Sequence, residues 1–482
     1  MLNTRMVINI LGFLLVIEGM FMYLSIPISL IYKESDFLYF LLSGTITIVV
    51  GAACWFFTRN APKNFYRREG YIIVTLGWVL FSIFGSLPFF LSGAIPSFAN
   101  AFFETMSGFT TTGASILDDI ESLSHGILFW RSITQWIGGM GIIVLSLAIL
   151  PLLGIGGMQL FIAEVPGITY DKLHPRIKGT AARLWLIYLI FTIVETILLW
   201  IGGMDVFDAV CHSFTTMATG GYSTKQASVA YWDSPFIQYV IIFFMILAGT
   251  NFTLSYFALH LRFRKMLVNE EFRYYIGFII IFTTIISLGL FYTRDMGIEQ
   301  SLRISLFQVV SIITTTGFVT SDYLSWIPVL ATIIFFLMFL GGSAGSTGGG
   351  VKIMRVMLLL KNSTLELKRL IHPNAVIPVR YNGQIIDPQI ITNVLAFISF
   401  YLIILVVSML AMSALGYDFD TSLGAVATCL GNIGPGLGEV GPMFNFNHLP
   451  DIGKWFLSFL MLVGRLELFT VLVLFSAAFW RD

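Results

Sequence analysis

The chain has 482 residues, of which 57% are hydrophobic and only 11% charged, with cations and anions in balance. Soluble domains carry roughly a quarter of their residues as charges, so the composition excludes a soluble globular fold and identifies an integral membrane protein. No strongly basic tail or nucleic-acid motif is present, and Cys54, Cys211 and Cys429 stand alone in or beside apolar stretches, which argues against a disulfide framework or a metal site.

Apolar stretches begin near Val7, Leu38, Tyr71, Leu128, Leu184, Pro235, Tyr274, Ile327, Ile390 and Lys454. Each is long enough for the ~20 residues of a spanning helix, which predicts about ten spans in an all-α membrane protein. The first, over residues 7–31, lacks a small-residue cleavage site and is longer than a signal-peptide core, so it reads as a retained helix. Cations fall on alternate loops. Arg59, Lys63, Arg67 and Arg68, then Lys172, Arg176, Lys178 and Arg183, then Arg262, Arg264, Lys265 and Arg273, then Lys352, Arg355, Lys361, Lys368, Arg369 and Arg380 share one side. The positive-inside rule makes that side cytoplasmic and places the N-terminus, with Arg5, there too. The opposite loops carry Asp118, Asp119, Glu121, Asp205, Asp208, Asp322, Asp418 and Asp420, an acidic mouth that would concentrate cations.

Four segments resemble one another: FFETMSGFTTTGAS from Phe102, VCHSFTTMATGGYS from Val210, LFQVVSIITTTGFVTS from Leu306 and AVATCLGNIGPG from Ala425. Their shared glycines, Gly113, Gly220, Gly317 and Gly434, recur about every hundred residues, and an internal repeat decides the architecture. A second glycine-bearing apolar stretch follows each, at Gly139, Gly249, Gly342 and Gly464. The expected fold is thus four pseudo-repeats of helix, pore loop and helix around one central pore. They cover residues 61–160, 161–265, 266–380 and 381–482, with two extra N-terminal helices over 1–60. Short half-helices are expected over 98–111, 205–218, 300–315 and 420–431, ending in polar loops. Non-helical backbone at membrane depth is tolerated only where protein buries it or where it lines water.

The loop chemistry suits a monovalent cation. Backbone carbonyls can replace an ion's hydration shell, and glycine permits the extended, partly left-handed backbone that aims them. Threonine hydroxyls can brace the loop from behind or coordinate at its inner end. Each half-helix would point its partially negative C-terminus toward the axis. No carboxylate occupies the loop tips, which favours neutral dipoles over a calcium-type site. The candidate filter residues are Thr111, Thr112, Gly113 and Ala114; Thr219, Gly220 and Gly221; Thr315, Thr316, Gly317 and Phe318; and Asn432, Ile433, Gly434 and Pro435.

These motifs resemble the Trk/Ktr/HKT superfamily of cation transporters, and the two extra helices make the chain most similar to TrkH/TrkG-type potassium uptake subunits. The resemblance covers essentially the whole chain. It implies K⁺ selection by four glycines, with K⁺ ions bound in the filter and no other cofactor in this chain. It also implies a homodimer with one pore per protomer, a TrkA-like cytosolic nucleotide-binding regulatory subunit, contact with membrane lipid, and residence in the inner membrane of a prokaryote. Coupling of K⁺ to H⁺ or Na⁺ on the same fold is the alternative.

After the third filter comes a run of ten residues, Gly341, Gly342, Ser343, Ala344, Gly345, Ser346, Thr347, Gly348, Gly349 and Gly350, six of them glycine. At ~1 kcal/mol per glycine relative to alanine, a continuous helix is disfavoured, and a loop that can obstruct or clear the path is expected; the resemblance implies an intramembrane gate at this position. The run also spells G-x-S-x-G, a nucleophile-elbow pattern, but no strand precedes it, and His212 and His260 lack an evident acidic partner. An intramembrane serine hydrolase is therefore a remote reading. Arg465 lies in the last span, where an ionisable residue is a functional candidate by default. It is expected to donate to carbonyls of the glycine-rich loop, whereas Glu18 and Glu195 are expected to be structural.

Overall fold

The computed structural model describes residues 2–61, 67–141 and 177–481, the side chains of Arg67, Met140, Gly141 and 177–181 excepted. The cations Lys63, Arg67, Lys172, Arg176 and Lys178 and the junction between the first two expected repeats fall outside what is described.

Among the described residues, six helices are long and apolar enough to cross a membrane: Thr4–Ile31, Phe37–Phe57, Arg68–Leu91, Ala182–Ile201, Glu270–Arg294 and Pro388–Ala414. Of the remaining apolar stretches, those from Pro235, Ile327 and Lys454 do not form the straight spans that hydropathy predicts, and the one from Leu128 runs on beyond the described residues. Pro235–Ala248 and Phe252–Leu259 meet at 112°, and Asp451–Arg465 and Phe469–Phe475 at 111°. The stretch from Leu128 gives the helix His125–Trp136 and then a π-helical turn over Ile137–Gly141. The stretch from Ile327 gives the short helix Pro328–Leu337, which stops before the glycine-rich run; the chain becomes helical again over Ile353–Ile371. In the second, third and fourth repeats the second helix is broken, and the break falls at or beside Gly249, Gly342 and Gly464; in the first, the described residues end in the π-helical turn around Gly139. A side chain at Gly138 would strike Phe109 O, and one at Gly464 would strike Leu430 O, so the breaks lie where the chain passes the C-terminus of a half-helix.

The half-helices run over Phe98–Phe109, Val206–Met217, Ile298–Ile313 and Phe419–Gly431. Their starts have a local cause. Ser97 Oγ accepts from Asn100 N, Asp205 from Phe207 N and Asp418 from Thr421 N, each satisfying a backbone donor that the first turn leaves open. They are buried along most of their length, whereas the hydrophobic windows of Glu270–Arg294 and Pro388–Ala414 are only 22% and 28% buried. The half-helices therefore form the centre, and the long helices present their apolar side chains outward to lipid.

The two N-terminal helices pack as an antiparallel pair through glycines. A Cβ on Gly12 would lie 2.7 Å from Gly51 O, and one on Gly19 would lie 2.8 Å from Gly44 O, with the reciprocal positions equally tight. Small residues at such contacts let helix backbones approach closely in the absence of a hydrophobic driving force. Gly12→Val should lower the thermal midpoint in detergent, an overpacking cost of about 1–3 kcal/mol, while leaving ion flux per folded molecule unchanged. Glu18 and Glu195 are both buried, and Glu18 lies against Gly85.

A ring of four glycine loops and the segment beneath it

Each half-helix ends in the same backbone sequence of turns. Thr111, Thr219, Thr315 and Asn432 have φ of 52°, 55°, 59° and 53°, and two residues later Gly113, Gly221, Gly317 and Gly434 have φ of 81°, 74°, 81° and 102°. Between them, the amides of Thr112, Gly220, Thr316 and Ile433 donate back to Ser107 O, Thr215 O, Ser311 O and Thr428 O at 2.8 to 3.0 Å. Left-handed residues two apart take the backbone out of both helix and strand, so its carbonyls neither run along a helix axis nor alternate sides as in a strand. The second loop is thereby shifted by one residue from the expected register. Gly221, not Gly220, is the structural counterpart of Gly113, Gly317 and Gly434, and Gly220 stands where the other loops have Thr112, Thr316 and Ile433.

The loops close on one another. A side chain on Gly113 would collide with Gly220 O, one on Gly221 with Thr316 O, one on Gly317 with Ile433 O, and one on Gly434 would meet Thr112 O at 3.0 Å. Each loop thus presses its glycine against the preceding-position carbonyl of the next, first to second, second to third, third to fourth and fourth to first. Among the described residues, no donor reaches Thr112 O, Thr316 O or Ile433 O, nor the carbonyls of Gly113, Gly221, Gly317 and Gly434. Buried carbonyls without donors are costly unless something else satisfies them. Two further candidates turn back into the protein: Ala114 O accepts from Tyr222 Oη at 3.3 Å and Phe318 O from Ser311 Oγ at 2.7 Å. Pro435 packs its ring beside Gly317.

Side chains behind the ring hold it. The hydroxyls of Thr110 and Thr112 pair at 2.8 Å, and Thr314 and Thr316 repeat that pairing at 2.8 Å. Asn432 Nδ2 donates to Thr112 Oγ1 and to Met461 O, both at 2.9 Å, joining the fourth loop to the first. Gln135 donates from Nε2 to Gly220 O at 2.7 Å and accepts at Oε1 from Tyr222 N at 3.1 Å. Arg131 forms a buried ion pair with Glu104 at 2.7 Å, donates to Ser223 O at 2.8 Å, and lies 3.6 Å from the centre of the Tyr222 ring. Tyr222 Oη returns a hydrogen bond to Glu104 O at 2.7 Å. Sequence reading passed over this bracket, although a Glu in a half-helix and an Arg in an apolar stretch are visible signals of it. Breaking a buried pair leaves one charge uncompensated at about 3–5 kcal/mol; Arg131→Ala should sharply reduce the yield of folded protein, as read by gel filtration and thermal unfolding.

The glycine-rich run lies directly beneath three of the loops. Gly349 N donates to Thr315 Oγ1 at 2.6 Å, and a Cβ on Gly349 would meet Gly431 O at 2.8 Å. Thr347 Oγ1 donates to Met217 O, the end of the second half-helix, at 3.0 Å. The bend after Pro235–Ala248 grips the run's other side: Ser343 N donates to Gly249 O at 2.8 Å, Asn251 Nδ2 to Ala344 O at 2.7 Å, and Phe252 N to Gly345 O at 3.2 Å. Gly341 N closes the base of the run onto Val351 O at 2.7 Å, and a Cβ on Gly342 or Gly348 would meet the Ser346 hydroxyl. Gly350 carries φ of 63°. Arg465 donates from Nη1 to Thr347 O at 2.8 Å and from Nη2 to Gly138 O at 2.6 Å and Gly139 O at 2.9 Å. One guanidinium therefore ties the run to the broken helix of the first repeat. Glu467, two residues on, pairs instead with Arg355. His212 engages Asp208 O and Ser223 Oγ behind the second loop, and among the described residues no histidine bonds Ser343.

Residues 38–482 match the TrkH family, described as cation transport protein. The chain is 41% identical to the Trk system potassium uptake protein TrkH of Escherichia coli K12, with both chains covered in full. It is 35% identical to TrkG of the same organism, over 100% of this chain and 99% of that one. The crystal structure of the potassium transporter TrkH from Vibrio parahaemolyticus superimposes with a TM-score of 0.90 at 38% identity, covering 100% of each chain. By sequence over its whole length and by fold, the chain belongs to the TrkH family of cation transport proteins.

Proposed function

We propose that this protein mediates potassium uptake, with K⁺ passing through the ring formed by the four glycine loops and the glycine-rich run beneath them acting as the gate. The observation that carries this reading is the closed cycle of glycine-to-carbonyl contacts, which leaves donor-free carbonyls crowded at one place in a buried centre. Such carbonyls can take the place of a cation's water shell. The half-helix ends that converge there add partial negative charge. The relatives' designation as potassium uptake proteins supports K⁺ as the cation. Because the family consists of transport proteins and not of enzymes, the G-x-S-x-G pattern of the run carries no hydrolytic role.

Movement is down the electrochemical gradient, with the membrane potential supplying about 2.3 kcal/mol per 100 mV for each inward charge. The relatives are parts of a named Trk system, which supports work within a larger transporter complex. The assembly proposed is a homodimer with one pore per protomer, regulated by a cytosolic nucleotide-binding subunit. Recording from purified protein in planar bilayers, with K⁺, Na⁺ and pH gradients varied one at a time, tests the function. The reversal potential should follow the K⁺ gradient alone; a shift with the pH or Na⁺ gradient would replace passive movement by coupled symport.

A further inference from the structure

On the side that the cation distribution makes cytoplasmic, the lower arm of the bent pair, Phe252–Leu259, leads through a tight turn into the short helix Phe263–Val268. Between them lies an open cavity of about 440 Å³, lined by Leu254, Phe257, Arg264, Lys265, Val268, Asn269 and Asn382. Its floor is apolar and its rim is cationic or amide. Among the described residues, neither Arg264 nor Lys265 forms an ion pair; Lys265 lies 4.5 Å from the centre of the Phe257 ring. The nearby acids are engaged elsewhere, Glu270 with Lys361 and Glu271 with Ala344 N. Around the groove, Leu261, Phe263, Leu267 and Val268 are 52% to 80% exposed, side by side with Arg262, Arg264 and Lys265.

Exposed apolar side chains alternating with cations, immediately cytoplasmic of a membrane helix, form a surface that lies in the lipid interface and attracts anionic headgroups. We propose that this groove is a binding site for an anionic phospholipid, whose phosphate is held by Arg264 and Lys265 and whose upper acyl chain covers Leu254, Phe257 and Val268. Charge complementarity selects the occupant: two unpaired cations beside an apolar floor match one molecule that carries both an anion and a hydrocarbon chain. Asn382, whose Oδ1 accepts from Glu270 N, turns its amide NH2 to the same rim for the headgroup's glycerol oxygens, while Asn269 caps Phe272 N and donates to Tyr381 Oη. The site is joined to the permeation path, since the arm that forms its floor begins at Asn251, whose side chain holds Ala344 O of the glycine-rich run.

The test uses the full chain reconstituted in nanodiscs with equal amounts of dioleoyl phosphatidylglycerol and dioleoyl phosphatidylcholine, followed by native mass spectrometry of retained lipid. Phosphatidylglycerol should be retained preferentially, and R264Q/K265Q should reduce that preference by roughly fivefold per cation removed. Both residues are exposed, so the thermal midpoint of the variant in detergent should match the wild type. Equal retention of the two lipids, or a preference that survives the double substitution, would overturn the proposal. Competition by glycerol 3-phosphate or by a short polyglutamate peptide at the lipid's own concentration would also overturn it, because it would mark a soluble anion or an acidic protein segment as the occupant.

Discussion

Gly221→Ser should abolish selective potassium uptake, and the loss should not be rescued by trimming neighbouring side chains. Gly221 has φ of 74°, a conformation that costs an L residue roughly 1–2 kcal/mol. A Cβ there would also run into Thr316 O, a backbone atom held in the ring and unable to swing aside. The third loop must then move, and its carbonyl with it. Gly220 differs. It has no positive φ, and the obstacle to a side chain is Gln135, whose amide lies against it. Gly220→Ala should therefore impair uptake alone and recover in part in combination with Gln135→Ala, which removes the clash along with the brace on Gly220 O and Tyr222 N, whereas Gly221→Ala should fail with or without that second change. Potassium-dependent growth of an uptake-deficient host and the K⁺/Na⁺ permeability ratio measure the outcome, with a fall of more than about tenfold expected for Gly221 variants from strain of that size. Equal tolerance at the two positions would show that the one-residue register shift has no functional meaning.

Arg465→Ala should raise potassium flux and leave selectivity intact. Among the described residues the guanidinium donates one hydrogen bond to the glycine-rich run and two to Gly138 and Gly139. Hydrogen bonds to a charged group contribute about 1.5–3 kcal/mol each. Their loss frees one anchor of the run, and it also removes a positive charge from the segment below the ring. An increase in open probability of tenfold or more is the expected scale if even one such bond favours the closed arrangement. Arg465→Lys should give an intermediate effect, because an ammonium keeps the charge but cannot span carbonyls on two different segments with a planar fork. Single-channel or flux recording decides; unchanged open probability in Arg465→Ala would remove the residue from gating. The run's other anchors, at Met217 O, Gly249 O and Thr315 Oγ1, predict that it is displaced and not unfolded in the variant.

What could be read from residues alone followed from local physics. The half-helices begin within two residues of expectation, three of them because Ser97, Asp205 and Asp418 cap them and the one in the third repeat after Gly297, and they end where Thr or Asn leads into glycine. The glycine-rich run was visible as a break because helix propensity is local. Hydropathy, by contrast, measures how apolar a stretch is and not the path it takes, so about ten spans were expected, and among the described residues six continuous helices and two sharply bent pairs stand.

Composition and repetition by themselves determined a membrane protein with four related loops and a glycine-rich, non-helical segment after the third. The tertiary structure decided the rest. Gly220 and Gly221 are adjacent and chemically identical; counting along the repeated segments sets Gly221 level with Gly113 and Gly317, and contact with the first and third loops puts it in the left-handed position. The partners of Arg465 lie more than three hundred residues away at Gly138 and Gly139, and 118 away at Thr347. Spacing within a helix shows which residues share a face, but the pairing of distant segments depends on how the four repeats close around a common axis.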